Sequence, residues 1–480
     1  MAEVRSVNRG KVIWLASAGA VGGFLFGFDS SVINGAVEPI QAQFGLNATT
    51  TGIAVASALL GCAFGAWLGG RVADRFGRIP SMVLAATLFF VSALGSGMAF
   101  GVWDLIAWRL IGGVGVGMAS VIAPAYIAEI SPAAIRGRLA SLQQLAITTG
   151  IFAALLSDAV FAALAGGADQ PFWLGAEAWR WMFMAEAVPA AVYGLIALTL
   201  LESPRYLVIQ NREHDAIEVL LKIGGEQAPE DEVRAIREDI ERDRKLEKVA
   251  TLKGSALGLK PIVWVGIALS VFQQFVGINV IFYYSNTLWQ SVGFDESSSF
   301  AISVATSLVN IAVTIVAISL IDKVGRRPLL LTGSIGMTVS LATMAICFSQ
   351  ATIIDGAPVL EGAFGPIALV AANLFVIFFG VSWGPAVWVL LGEIFPNSIR
   401  GKALGLAAAA QWIANFLITV SFPALAGLSL VFTYGMYAAF AALSFLFVLR
   451  FIPETRGRSL EESGHLERPV ARSRQAGTTS

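Results

Sequence analysis

Long uncharged stretches recur along this chain at nearly regular intervals. A helix needs about 20 residues to cross the ~30 Å hydrocarbon core of a bilayer. Twelve runs meet that length, at roughly 12–36, 51–71, 80–101, 104–128, 139–162, 180–201, 261–288, 299–321, 328–349, 366–391, 403–426 and 429–451. Only 14 % of the 480 residues are charged, against about 25 % in a soluble protein. Mean hydropathy is +0.72. Membrane β-barrels alternate apolar and polar residues, and these runs do not. The chain therefore reads as an all-α polytopic membrane protein. Its first run is too long for a signal-peptide core and reads as an uncleaved span. Cys62 and Cys347 both fall inside apolar runs and imply no disulfide framework. The net charge of −1 identifies no partner, and no nucleic acid, metal or cofactor is expected.

The connections settle an expected orientation. One set carries Arg71, Arg75 and Arg78, then Arg136 and Arg138, the 202–260 loop, Lys323, Arg326 and Arg327, Arg400 and Lys402, and the basic tail. The alternate connections carry acids only: Glu38, Asp104, Asp169, Glu177, Asp295, Glu296, Asp355 and Glu361. Arg109 and Arg180 are the exceptions to this segregation. The excess of Lys and Arg marks the first side, with both termini, as cytoplasmic.

The halves repeat each other. "AEISPAAIRGR" at 128–138 returns as "GEIFPNSIRGK" at 392–402, and "ADRFGR" at 73–78 returns as "IDKVGR" at 321–326. "ES" before Pro204 returns as "ET" at 454–455. This is a duplicated six-helix unit in parallel orientation. Its natural architecture is two bundles with a site between them near the midplane, opening alternately to each side. The expected division is 1–201, a first bundle; 202–260, a cytoplasmic linker with mixed charges at helical spacing; 261–458, a second bundle; and 459–480, a polar tail expected to be disordered. A plain solvated linker is the other reading of 202–260.

Several polar residues sit where hydrocarbon should exclude them. Asp29 lies well inside the first run, in "FLFGFDSSVING", where an aspartate costs about 2.5–3.5 kcal/mol. Arg109 is the one base well inside a span, so a pair is suggested. The only histidines, His214 and His465, map to the cytoplasmic side. An intramembrane proton carrier must then be a carboxylate: Asp29 first, with Glu186 and Asp158 as further candidates. A permanent Asp29–Arg109 bridge is the structural alternative. "QQFVGIN" places Gln273, Gln274 and Asn279 in span 7. Gln273 and Asn279 are six apart and cannot share one narrow helical stripe, so a break near Gly277 is expected. Amides offer donors and acceptors together, as sugar hydroxyls require. Gln144, Asn310, Gln411 and Asn415 are further mid-span amides, and Trp388 and Trp412 offer flat apolar faces. Interhelical hydrogen bonding is the alternative for any one of them. "GRVADRFGR" sets Arg71, Asp74, Arg75 and Arg78 in a tight turn, with Glu129 and Arg136 at the next. The second half repeats these as Asp322, Arg326, Arg327, Glu393 and Arg400. Exposed ion pairs are worth at most about 1 kcal/mol each, which suits a charge latch that must open. Gly61, Gly65 and Gly69, and Gly113 and Gly117, recur at a spacing that allows close helix approach. Asn47-Ala48-Thr49 fits a glycosylation acceptor and is assigned no role.

"GRVADRFGR", "RLIGGVGVG", "PAYIAEISP", "ESPRYL", "QQFVGIN", "FYY", "DKVGRRP", "GEIFP", "IRGKA" and "PETRGRSLEE" together resemble the sugar porters of the major facilitator superfamily. The resemblance runs from about Gly22 to Glu462 and extends to bacterial proton-coupled xylose and glucose symporters and to facilitative glucose transporters. Phe28, where Tyr is usual, and Leu201, where Pro is usual, are small departures. The resemblance implies twelve helices in two bundles and monosaccharide transport. It places Gln144, Gln273, Gln274, Asn279, Asn310, Trp388 and Gln411 on sugar-binding positions and Tyr283 and Tyr284 on an extracellular gate. It also places the acid and base of a proton-coupled member at Asp29 and Arg109. The charge latch would lock the cytoplasmic side when the site faces outward. No P-loop or other nucleotide motif occurs, so ATP drive has no basis, and no covalent chemistry is expected. The expected function is monosaccharide–proton import by a protein working as a monomer in the plasma membrane (the inner membrane of a bacterium). A passive uniporter is the near alternative and a membrane sugar sensor the distant one.

Overall fold

A computed structural model describes residues 9–131, 136–223, 229–249, 251–354, 357–396 and 399–454. The expected tail, His465, Pro132 and Asp355 lie outside these residues, as do the side chains of Arg136 and Asp322.

The first half comprises α1 (Arg9–Phe44), α2 (Ala48–Phe76), α3 (Arg78–Gly97), α4 (Val102–Ile130), α5 (Arg136–Ala165), α6 (Ala178–Ala185) and α7 (Ala187–Ala197). Three short helices follow: α8 (Pro204–Ile209), α9 (Glu213–Ile223) and α10 (Pro229–Val249). The second half comprises α11 (Pro261–Phe275), α12 (Ile278–Tyr283), α13 (Ser285–Gln290), α14 (Glu296–Val324), α15 (Arg326–Ser349), α16 (Phe364–Val381), α17 (Trp383–Ile394), α18 (Arg400–Leu428) and α19 (Leu430–Phe451). A two-stranded antiparallel hairpin, β2 (Thr352–Ile354) with β3 (Ala357–Val359), and the lone strand β1 (Lys253–Ala256) lie in connections.

Among the described residues, eleven helices are long and apolar enough to cross a membrane. The twelfth span is the α6–α7 pair, interrupted at Glu186 while its backbone stays helical (φ −63°, ψ −23°). Pro189 explains the interruption: it has no N–H to give the Ala185 carbonyl four residues back, and its ring crowds that carbonyl. Pro385 does the same to Val381, and there α16 ends and α17 begins. The chain is thus a twelve-helix membrane protein in two bundles.

Helix ends are closed by local side chains. Asn47 Oδ1 accepts the Thr50 N–H at 2.9 Å, so this residue caps α2. Asp295 caps α14 in the same way. Hydrogen bonds from the Ser298 hydroxyl and backbone hold its carboxyl below the usual range. Packing in the first half depends on the recurrent glycines. A Cβ on Gly61 or Gly65 would collide with the Leu110 or Val114 carbonyl, and one on Gly113 or Gly117 with that of Ala58 or Cys62. The α2 and α4 backbones therefore touch directly. Across the halves, α2 packs on α18 and α5 on α14.

The halves are also bonded at the end remote from the basic loops. Asn286 N–H donates to Asn34 Oδ1 at 3.0 Å, and Ala168 N–H to Glu296 Oε1 at 2.9 Å. Glu38 and Gln290 line one small cavity there. Gly113→Val should force α2 and α4 apart at a destabilisation of about 1–3 kcal/mol, the usual range for overpacking. Thermal unfolding in detergent reads this, and an unchanged melting temperature would contradict the backbone contact.

Candidate functional site

Three ionisable side chains meet inside the first half: Asp29 of α1, Arg109 of α4 and Glu186 at the α6–α7 junction, each only 2 % exposed. The Asp29 and Glu186 carboxyls are close enough to act on each other, and the Arg109 guanidinium acts on both through space. Gly112, three residues after Arg109, leaves room for Ser92: a Cβ there would collide with its Oγ. Among the described residues no direct ion pair joins Arg109 to either acid. Its Nε and Nη1 have no hydrogen-bond partner, and its Cζ lies 5.7 Å from the Phe183 ring centroid. The structure thus brings Glu186 to the Asp29–Arg109 position. Asp158 is apart from this group: it is fully buried, and its Oδ2 accepts the Gly35 N–H at 3.3 Å.

The amides of span 7 form a ladder. The helix stops at Phe275 and restarts at Ile278, with Gly277 in the left-handed region at φ +84°. A Cβ there would also lie 2.7 Å from the Tyr437 ring, so both backbone and packing require glycine. This turn lets Asn279 Nδ2 reach Gln274 Oε1 at 2.7 Å. Gln274 Nε2 reaches Gln273 Oε1 at 3.3 Å. Gln273 Nε2 donates to the Trp383 carbonyl at 2.9 Å, at the break made by Pro385. Two helix breaks, one glycine and one proline, thus support one polar chain.

The remaining candidates are spread over facing helices. Gln144 on α5 and Asn310 on α14 are half-buried. Gln411 on α18 has a buried Oε1 with no partner, and Trp388 on α17 is 45 % exposed. The Trp412 ring stands 5.8 Å from that of Phe26, in contact across the halves. Asn415 accepts from Thr419 Oγ1 at 3.2 Å. Tyr283 is buried in the same region, with the Asn415 and Ser30 side chains acting on its hydroxyl. The Tyr284 hydroxyl donates to the Thr419 carbonyl at 3.0 Å.

At the basic end, the repeated motifs make matching contacts. Arg78 grips Glu129 with Nε and Nη2 at 2.9 and 2.8 Å and reaches Asp74 at 3.2 Å. In the second half Arg326 Nη2 meets Glu393 at 2.7 Å. Arg71 lies over the Trp67 ring at 4.0 Å and Arg75 over that of Phe76 at 5.2 Å. Arg327 Nη2 donates to the Leu449 carbonyl at 2.9 Å, and Arg400 Nε to that of Phe395 at 3.3 Å. Two acids outside the sequence-derived set complete the design. Glu202 accepts the backbone N–H groups of Arg78 and Ile79, capping α3. Glu454 accepts those of Arg326 and Arg327, capping α15. Their signal in the sequence is the repeated "ES" and "ET". Glu202→Ala should expose both N–H groups and cost roughly 1–2 kcal/mol of stability, as lost caps do. Glu454→Ala should cost about as much. Thermal unfolding of the two variants checks both, and wild-type melting would remove the capping role.

Residues 15–466 match the family described as "Sugar (and other) transporter". A glucose transport protein of Synechocystis sp. is 54 % identical over 453 residues, spanning 94 % of this chain and 96 % of that protein. The D-xylose–proton symporter of Escherichia coli is 36 % identical, over 98 % of this chain and 99 % of its own. A partially occluded inward-open structure of the xylose transporter XylE from E. coli superposes with a TM-score of 0.81 at 34 % identity, covering 94 % of this chain and all of the other. The chain belongs to the sugar transporter family, the sugar porters of the major facilitator superfamily.

Proposed function

We propose that this protein imports a monosaccharide, a hexose such as glucose in the first instance, together with a proton by alternating access. The observation that carries this reading is the buried Asp29–Glu186–Arg109 group in the first half, found together with the amide ladder of Gln273, Gln274 and Asn279 in the second. The names of two relatives, a glucose transport protein and a xylose–proton symporter, agree with it.

Two contacting acids beside one guanidinium balance charge best with a single negative charge between them. Gaining or losing the shared proton therefore alters the attraction to Arg109 and the fit of α1 against α4 and α6. In the inward half of the cycle the proton leaves, and in the outward half it returns. The ladder, with Gln144, Asn310 and Gln411, supplies donors and acceptors to the sugar, while Trp388 and Trp412 meet its C–H face. Tyr283 and Tyr284 close over it from outside. The pairs Arg78–Glu129 and Arg326–Glu393 belong to the cytoplasmic latch. Residues 1–201 and 261–458 move as the two bundles, 202–260 joins them, and both termini lie in the cytoplasm of a plasma or bacterial inner membrane. The protein works as a monomer and needs no cofactor.

Gln274→Ala cuts the ladder at its middle and leaves Gln273, Asn279 and the bound hydroxyls short of partners. Sugar affinity should fall by about 1–3 kcal/mol, read by calorimetry on purified protein. Wild-type affinity would move the site elsewhere. Asp29→Asn should abolish uphill uptake while sparing binding and counterflow in proteoliposomes. Undiminished accumulation in that variant would pass the coupling role to Glu186. Absence of sugar-induced proton uptake in the wild type would leave a passive uniporter with Asp29 as a structural partner of Arg109.

A further inference from the structure

Two acids sit where the halves meet at the end remote from the basic loops. Glu38 of α1 shares a cavity with Gln290 of α13, and Glu296 of α14 accepts the backbone N–H of Ala168. These acids come from opposite halves, yet both line one cavity of ≈ 10 Å³, together with Asn34, Asn286, Gln290 and Phe300. The other charged groups at this end do not neutralise them. Asp169 and Glu296 flank Gly167, where a Cβ would meet their oxygens at 3.0 and 3.4 Å. Asp295 is engaged in capping α14. Arg180 is committed to Glu177 at 2.6 Å and to the Gly97 and Ala99 carbonyls.

The amides in the same cavity show what it accepts. Asn34 and Asn286 are 1 % and 2 % exposed, and the Nδ2 of each has no partner. Their oxygens are already used, by the Asn286 N–H and the Ser303 hydroxyl. Both therefore present donors only, which disfavours a metal cation. A cavity of this size holds about one water. Two amide donors suit its lone pairs, and two carboxyls suit its hydrogens.

We propose that Glu38 and Glu296 form a second proton site, in which one proton shared between them through a water holds the two halves together at the outer face. Nine residues of helix separate Glu38 from Asp29, about 13 Å along the axis, so the site is distinct from the inner charged group. When the proton leaves, two like charges face each other across the gap and the face opens. The closed state binds the proton more tightly than the open one, so the closed population rises as pH falls. The proposal uses the alternating-access reading only to name the two states, and its test needs no sugar.

Spin labels on Thr49→Cys and Gln350→Cys, at the outer ends of α2 and α15, report the opening in the purified full-length protein; the native cysteines are buried. The Asp29→Asn background removes titration of that inner acid. The ratio of short to long distances should there change by up to about tenfold per pH unit over the titration range. Adding Glu38→Gln or Glu296→Gln should make the ratio independent of pH, on the closed side. Glu38→Asp should restore a titration with a shifted midpoint, which separates loss of the proton site from misfolding. The proposal falls if either Gln variant keeps the full titration, if the Asp29→Asn background is already flat, or if Na⁺ or Ca²⁺ at alkaline pH closes the face as acid does.

Discussion

A buried guanidinium with no direct ion-pair partner among the described residues is the constraint on which the first half depends. Arg109 reaches neither carboxyl in a direct ion pair, yet it is the one base beside Asp29 and Glu186. A buried charge of this kind is tolerated only with compensating charge nearby. Two features of the sequence serve that compensation. Phe183 offers its ring to the guanidinium, and Pro189 interrupts the sixth span beside Glu186. The local fold is therefore arranged around one charge, and a change in the charge of its acids changes what the surrounding helices must accommodate.

Much of this was legible in the sequence, and the physical reasons are specific. Hydropathy and the segregation of Lys and Arg depend on single residues, so the spans and the repeat could be read directly. The glycine spacing on α2 and α4 marked a backbone contact because only glycine permits one. The break at Gly277 followed from the impossibility of presenting Gln273 and Asn279 on one stripe. Less legible were relations between distant segments. The caps from Glu202 and Glu454 span more than 120 residues, and no local periodicity encodes them. The breaks at Glu186 and Ser382 follow from proline chemistry that hydropathy does not register, and they divide what composition reads as continuous runs. Glu38 and Glu296 read as ordinary acids in exposed connections until the packing sets them on one cavity.

The two carboxylate caps bear on how the halves could move as units. Glu202 ties the end of α7's connection to the start of α3, and Glu454 ties the end of α19 to the start of α15. Arg78–Glu129 and Arg326–Glu393 likewise join helices of the same half. Such contacts stiffen each half internally. Contacts between the halves include the Phe26–Trp412 ring contact, worth about 1 kcal/mol and small enough to exchange in a transport cycle.

The energetics of coupling set how much the inner acids must accomplish. One proton crossing a 100 mV potential supplies about 2.3 kcal/mol. At about 1.4 kcal/mol per tenfold, that sustains a sugar gradient of roughly 40-fold before any pH gradient is added. The same sum bounds the bias that protonation needs to place on the two states. A bias far smaller would let the empty carrier cross with its proton and waste the gradient. A bias far larger would trap one state. Compensation shared between two acids meets this requirement better than a lone Asp–Arg bridge. On the proposed reading, Arg109 keeps at least one negative neighbour whether or not the pair holds the proton. A permanent bridge would hold its charges fixed and offer the proton nothing to change.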